Sequence, residues 1–269
     1  MANGCLKIAT SQFAVGSLIR RNGWQICRFI EEAADAGADV VHFPESALSG
    51  YAGIDFPNFV DYDWDLLKME TEKIQQAAAK HKIYVVFGSA HKIKGGDKPY
   101  QSLYLVNPKG QIQYRYDKRF CTKVEMNRYT PGNRFVFFTI NGVKCSLLIC
   151  FDVRFPELYR KMYKADVKCI FQSFYNARQK GPSIHSEIMR QSMQCHAACN
   201  AMWVSMSNAS GYYSPYPSCF IRPDGKIVKQ LRRNEPGVMI NTVDLKEKFY
   251  DPMAGFRELA IKGILTNRM

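Results

Sequence analysis

The sequence predicts a single α/β domain with a mixed sheet system. Three observations carry this expectation. Strand-like and helix-like segments alternate along the chain. The runs Ile83-Tyr84-Val85-Val86-Phe87-Gly88 and Val167-Lys168-Cys169-Ile170-Phe171-Gln172 are short and mostly apolar, as in strands of an enclosed sheet. No low-complexity linker and no internal repeat divides the chain, so its 269 residues read as one domain over 1–269 rather than two small ones.

Each element has its own signal. Residues 6–13 read as the first strand. Asn22 is the expected N-cap of a helix reaching about Ala36, with Trp24, Cys27, Ile30 and Ala34 as its buried stripe and Gly37 as its stop. The next strand ends at Glu45. Asp63 or Asp65 starts a second helix that ends near His81 and turns Leu67, Ile74 and Ala78 to the core. Pro108-Lys109-Gly110 joins two strands as a hairpin, and Asn141-Gly142 joins two more. The later of these delivers Cys150 to a polar turn before a helix-like segment, residues 157–162. A strand over 167–172, a helix from about Ser183 to Asn200, a strand over 203–207, a Pro223-Asp224-Gly225 hairpin and a closing strand at 238–240 complete the order.

Composition narrows the function classes. Hydrophobic content of 46% with 23% charged residues is that of a soluble globular protein, and no apolar run approaches the ~20 residues of a membrane span. The start, Met1-Ala2-Asn3-Gly4-Cys5-Leu6-Lys7, leads straight into a strand without the pattern of a signal peptide. Nine cysteines, mostly inside apolar segments, point to a reducing, cytoplasmic setting. Cys195, His196 and Cys199 lack a second ligand cluster and read as a buried helical face, not a metal site. The net charge of +13 is scattered and accompanies no nucleic-acid-binding pattern, so it reads as solvated surface charge.

The chemistry centres on Ser146-Leu147-Leu148-Ile149-Cys150-Phe151-Asp152-Val153-Arg154-Phe155-Pro156-Glu157. A thiol where a strand meets a helix stands at a sheet edge, beside backbone N–H groups suited to an oxyanion. Two further segments join it: Phe43-Pro44-Glu45 with Gly50-Tyr51, and Tyr116-Asp117-Lys118 with Glu125 and Thr130-Pro131-Gly132-Asn133. In this order and with these strings the chain resembles the nitrilase-type carbon–nitrogen hydrolases. The resemblance covers most of the first 160 residues and is less distinctive beyond them.

The resemblance implies a four-layer α-β-β-α sandwich with the active site at the strand ends, and subunits that pair into a homodimer or higher homo-oligomer. It implies Cys150 as nucleophile, Glu45 as base and acid, and Lys118 as the cation that lowers the thiol pKa and meets the oxyanion with the backbone N–H of Phe151. Glu125 takes the second-glutamate role, orienting Lys118 and contacting the leaving amine. No metal or organic cofactor is required. Tyr51, Arg154, Phe174, Tyr175 and Asn176 are the expected substrate contacts. Phe174 and Tyr175 also read as ordinary core aromatics, and Arg154 as a brace paired with Asp152 or Glu157. Asp152 and Glu157 read as structural, and His185 and His196 carry no Cys–His signature. Arg119-Phe120-Cys121 replaces the KxHL-like string frequent in the family. The expected activity is an amidase or N-carbamoyl amidohydrolase acting on a small molecule and releasing ammonia. The alternatives are a nitrilase and a catalytically silent basic binding protein on the same fold.

Overall fold

The first apolar run becomes β1 (Cys5–Gln12), followed by α1 (Ile19–Asp35), β2 (Val40–His42), α2 (Trp64–His81) and β3 (Tyr84–His91), with β4 (Tyr100–Val106) and β5 (Ile112–Asp117) folding back on β3. The computed structural model describes residues 4–178 and 180–266, so Met1, Ala2 and Asn3 of the leader reading lie outside the described residues. The second half repeats the plan: β6 (Phe137–Ile140), β7 (Val143–Ile149), α3 (Pro156–Lys164), β8 (Cys169–Phe174), α4 (Ile184–Asn200), β9 (Trp203–Asn208), β10 (Cys219–Ile221) and β11 (Ile227–Gln230). β12 (Gly237–Asp244) and the short α5 (Arg257–Ile261) close the chain.

Two six-stranded sheets result, in the orders β12-β1-β2-β3-β4-β5 and β11-β10-β9-β8-β7-β6. Each has three parallel strands at its centre, β1-β2-β3 and β7-β8-β9. Each adds one antiparallel strand on one side, β12 or β6, and two on the other, β4-β5 or β10-β11. The fold is therefore a structural duplication with no matching sequence repeat.

The layers follow from the cores. Ile26, Phe29, Ile30 and Ile74 of α1 and α2 pack on Val41, Val85 and Phe87 of the first sheet. Leu6, Ile8 and Val40 share the other core with Leu147, Phe171 and Val204 of the second sheet, and with Leu158, Met162, Met189 and Met193 of α3 and α4. This is the four-layer α-β-β-α sandwich. Its central strands are covered on both faces, which accounts for their mostly apolar sequences. No helix among the described residues is long and apolar enough to cross a membrane.

Four local expectations are corrected. α1 begins at Ile19, not after Asn22. The Asn22 side chain clamps two loops instead of capping the helix: its Nδ2 donates to the Gly16 and Leu48 carbonyls at 2.7 and 3.0 Å. The buried face of α1 is Ile19, Asn22, Gly23, Ile26, Phe29, Ile30 and Ala33, which leaves Trp24 59% exposed under the Arg28 guanidinium. β2 stops at His42, and Glu45 stands in the turn beyond it. On α4 the buried positions are Met189, Met193, Ala197 and Asn200, so Cys195 is exposed. His196 stacks on Tyr159.

A polar seam crosses the core between the sheets. His42 places Nδ1 2.8 Å from Ser205 Oγ and Nε2 2.8 Å from Ser173 Oγ, and Ser173 Oγ donates to the Phe43 carbonyl at 2.8 Å. Since Ser173 gives its proton to that carbonyl, Nε2 carries the ring proton and Nδ1 accepts from Ser205. Burial holds this neutral imidazole down at about 3. The unfolded chain takes up the proton below about pH 6.5, so the contribution is complete above that value and is lost as pH falls toward the folded value. Each pH unit in that window is expected to cost about 1.4 kcal/mol. Urea unfolding of wild type and His42→Gln at about pH 7 and pH 5 checks this: the variant should lose less stability on acidification, and equal slopes would disprove it.

Candidate active site

Glu45, Lys118 and Cys150 follow the ends of β2, β5 and β7, and the fold brings these ends together. Local packing fixes each one. Glu45 lies against β3 where Gly88 leaves room: a Cβ there would stand 2.4 Å from the Pro44 carbonyl oxygen and 2.5 Å from the Ser46 nitrogen. The Glu45 N–H donates to the Phe174 carbonyl, and Ser46 adopts a left-handed φ of 55°. Gly132 does the same service for Lys118. A Cβ at Gly132 would meet the Asp117 carbonyl oxygen at 2.4 Å, and the Gly132 N–H donates to the Lys118 carbonyl at 2.7 Å. That contact gives the TPGN string a physical role.

Glu125 opens a one-turn 3-10 helix, Glu125–Asn127. Thr122 and Glu125 bond reciprocally: the Thr122 N–H donates to Glu125 Oε2 at 2.7 Å, and the Glu125 N–H donates to Thr122 Oγ1 at 3.2 Å. This is the geometry of a capping box. Cys150 begins another short 3-10 helix, Cys150–Arg154, with a left-handed φ of 41° that a side chain rarely adopts. Asp152 braces that turn. It accepts from Tyr116 Oη at 2.7 Å and from the Ile149 and Phe120 N–H groups at 3.0 Å each. Phe120 also stacks on Phe155, which is how Arg119-Phe120-Cys121 holds the Lys118 loop against the Cys150 turn.

The Lys118 ammonium is buried between two carboxylates. It donates to Glu45 Oε1 at 2.9 Å and to Glu125 Oε1, and Tyr51 Oη donates to that same Glu125 oxygen. Glu45 accepts further from Gln101 Nε2 at 2.9 Å and from the Tyr175 N–H at 2.8 Å. Asn176 Nδ2 lies 3.7 Å from Cys150 Sγ. Burial pushes the Glu45 carboxyl up, with Glu125 adding to it and Lys118 opposing. Burial pulls Lys118 down, but Glu45, Cys150, Tyr51 and Glu125 outweigh it and hold the ammonium well above its ordinary value. Glu125 is held low because Lys118 and its hydrogen bonds overcome burial. The Cys150 thiol departs from expectation. Burial and the facing Glu45 push it well up, and Lys118 offsets only part of that. Burial and Glu45 therefore favour the protonated form of this thiol.

The expected substrate contacts divide. Tyr51 reaches Glu125 and Asn176 reaches Cys150 directly. Tyr175 lies 4.8 Å from the Tyr51 ring, centroid to centroid, and donates to Asp55. Phe174 is fully buried in the core against Tyr216. Arg154 is exposed and forms no ion pair with Asp152 or Glu157, which removes the brace reading. His196 bonds the Val153 carbonyl, not the thiol. Sequence reasoning missed Gln101, Asp55 and Tyr216. A polar Gln101-Ser102 pair inside an otherwise apolar strand was the one available signal.

Residues 8–247 match the family described as carbon-nitrogen hydrolase. The chain belongs to the carbon–nitrogen hydrolase family. Among curated relatives, the 2-oxoglutaramate amidase of Bacillus subtilis (strain 168) is 29% identical, with 81% of this chain and 83% of that protein covered. Human Omega-amidase NIT2 is 25% identical, with 90% and 89% covered. An amidase of the nitrilase superfamily from Nesterenkonia AN1 has the same fold, with a TM-score of 0.78 at 19% identity over 96% of this chain and 94% of that one.

Proposed function

We propose that this carbon–nitrogen hydrolase is a thiol amidase that splits small primary amides into ammonia and a carboxylate, with Cys150, Glu45, Lys118 and Glu125 as its catalytic residues. The observation that carries the reading is the buried ammonium of Lys118, held by Glu45 and Glu125 beside the thiol. A fixed cation in a dry site is suited to charge that develops on a carbonyl oxygen, and a carboxyl pushed upward is suited to moving protons near neutral pH.

As the Sγ–carbon bond forms, Glu45 takes the thiol proton, and the carbonyl oxygen gathers charge opposite Lys118 Nζ and the Phe151 N–H. As the carbon–nitrogen bond breaks, Glu45 returns that proton to the leaving nitrogen and ammonia departs. Water then attacks the thioester while Glu45 takes its proton. Sγ leaves and is reprotonated. Glu125 holds the ammonium of Lys118 and shares the Tyr51 hydroxyl.

The names of the two curated relatives support an amide on a carboxylate-bearing acyl chain. The family resemblance supports a homodimer or higher homo-oligomer, and nine cysteines lying mostly inside apolar segments support a cytoplasmic setting. Ammonia release across carboxylate-bearing amides, neutral amides, N-carbamoyl amino acids, ureas and nitriles tests the reading. Turnover of amides is expected. Release from nitriles or carbamoyl compounds alone, or from nothing, would overturn it.

A further inference from the structure

Asp55 carries a carboxylate that no step of the reaction above uses. The residue as a whole is half-buried, but its side chain is fully buried. Oδ2 accepts from the Tyr51 N–H at 2.8 Å. Oδ1 accepts from Tyr175 Oη at 2.9 Å and lies 2.7 Å from Arg178 Nη1. Burial pushes this carboxyl up, and the Tyr51, Tyr175 and Arg178 donors oppose that. The loop that presents it is tied to itself. The Asp55 N–H donates to the Tyr51 carbonyl at 2.8 Å. Gly50 turns with a left-handed φ of 73°, and a Cβ there would stand 2.7 Å from the Gly16 carbonyl oxygen. Arg178 is held too, since its Nη2 donates to the Val15 carbonyl at 3.1 Å.

The two tyrosines bound to Asp55 are the residues that hold the two glutamates. Tyr51 Oη donates to Glu125 Oε1, and the Tyr175 N–H donates to Glu45 Oε2 at 2.8 Å. Lys118 Nζ donates to both glutamates. These contacts close into a ring: Asp55, Tyr51, Glu125, Lys118, Glu45, Tyr175 and back to Asp55. Asp55 stands opposite Lys118 in it, and the Tyr51 and Tyr175 rings lie 4.8 Å apart, centroid to centroid. Segments that follow β2, β5 and β8 meet in this ring.

We propose that Asp55 is a positioning residue of this active site, which sets the Tyr175 N–H on Glu45 and the Tyr51 hydroxyl on Glu125 and so fixes both carboxylates about Lys118. The proposal rests on the amidase reading for the roles of Glu45 and Glu125. Asp55 acts through the two tyrosines and is not itself catalytic.

Asp55→Asn is the first variant. Asparagine keeps the shape, but its NH₂ must face at least one of the three donors. For a small amide, kcat counted per Cys150 that reacts with a thiol reagent should fall by about 10- to 100-fold while KM changes far less, as for reacting groups displaced by up to about 1 Å. A second readout needs no turnover. The Glu45 and Glu125 carboxyls are titrated by carbon NMR on glutamate labelled at Cδ, with Glu45→Gln and Glu125→Gln to assign them. A carboxylate that loses a donor should titrate about one pH unit higher in Asp55→Asn. The sign decides the matter: loss of a nearby negative charge alone would move both titrations lower, and a role confined to stability would leave them in place. Tyr175→Phe removes the Oη that reaches Asp55 and keeps the N–H on Glu45. It should move Glu45 upward more than Glu125, and adding it to Asp55→Asn should cost little more. Undiminished kcat per reactive Cys150, or titrations that stay or move lower, would overturn the proposal. Tyr175→Phe decides it should Asp55→Asn not fold. If the wild type hydrolyses no amide, the amidase reading falls and the titrations alone settle Asp55. If it hydrolyses amides and the titrations do not rise, the role of Asp55 falls alone.

Discussion

Cys150→Ala is expected to lower ammonia release by at least about 10⁴-fold, since a reaction that passes through a thioester loses its first step with the sulfur. The folded state should tolerate the change: alanine meets the same left-handed backbone at φ 41°, and the thiol that burial and Glu45 hold protonated is removed. The other cysteines allow a control within one molecule. Cys145, Cys169 and Cys219 are buried, whereas Cys195 is exposed on α4. With a small thiol reagent, Cys195 should react without loss of activity, and inactivation should follow the Cys150 peptide. Labelling of Cys150 should still be rising at about pH 9, since the raised thiol ionises late. A plateau reached in the acid range would show a stable thiolate and contradict the site geometry. Retained turnover in Cys150→Ala would remove the mechanism altogether.

The positions proposed as catalytic were legible because their strings are local. Phe43-Pro44-Glu45, Lys118 with Glu125 at a seven-residue spacing, and Cys150 within its turn each lie on a short segment. The hairpin at Asn141-Gly142 and the helix starts at Asp63 or Asp65 and at about Ser183, where the structure has its N-caps at Asp63 and Ser183, were legible for the same reason: a turn or cap is decided by a few adjacent residues. The duplication was not. Both halves satisfy one pattern of buried strands and amphipathic helices, and that pattern constrains polarity without constraining residue identity. Trp24 failed as a core residue because the expected stripe of 24, 27, 30 and 34 shares only Ile30 with the observed buried face of 19, 22, 23, 26, 29, 30 and 33. An aromatic ring alone does not choose between adjacent faces. Gln101, Asp55 and Tyr216 escaped because their partners come from distant segments. Gln101 reaches Glu45 across 56 positions and Tyr175 reaches Asp55 across 120, and no spacing rule links such pairs.

Lys118→Met should affect both turnover and stability, and the two can be separated. Turnover is expected to vanish, because Glu45 loses the cation beside it and the oxyanion loses its counter-charge. Catalytic losses at Lys118, Glu45 and Cys150 should not multiply, as expected for groups that act as a unit. Stability at about pH 8 should fall by about 3–5 kcal/mol, the usual result of removing one partner from a buried ionic cluster. The pH dependence has a definite sign. In the wild type, Lys118 holds Glu125 below its ordinary range, so that contribution is present above the unfolded carboxyl value and is lost as pH falls through the folded one. In the variant, Glu45 and Glu125 face each other without the ammonium, and at least one carboxyl is driven up. Such a group favours the folded state below its unfolded value and loses that advantage as pH rises through the folded one. The wild-type contribution of Glu125 changes only below about pH 4.3, so between about pH 8 and pH 5 it is the raised carboxyl of the variant that acts, and the gap between wild type and variant should narrow over that range in urea unfolding. Adding Glu125→Gln removes one of the two facing carboxylates and should recover much of the stability at about pH 8 while turnover stays absent. A gap that is constant with pH would mean that the ammonium is not the partner of these carboxylates. Recovery of ammonia release in the double variant would mean that Lys118 serves the fold and not the reaction.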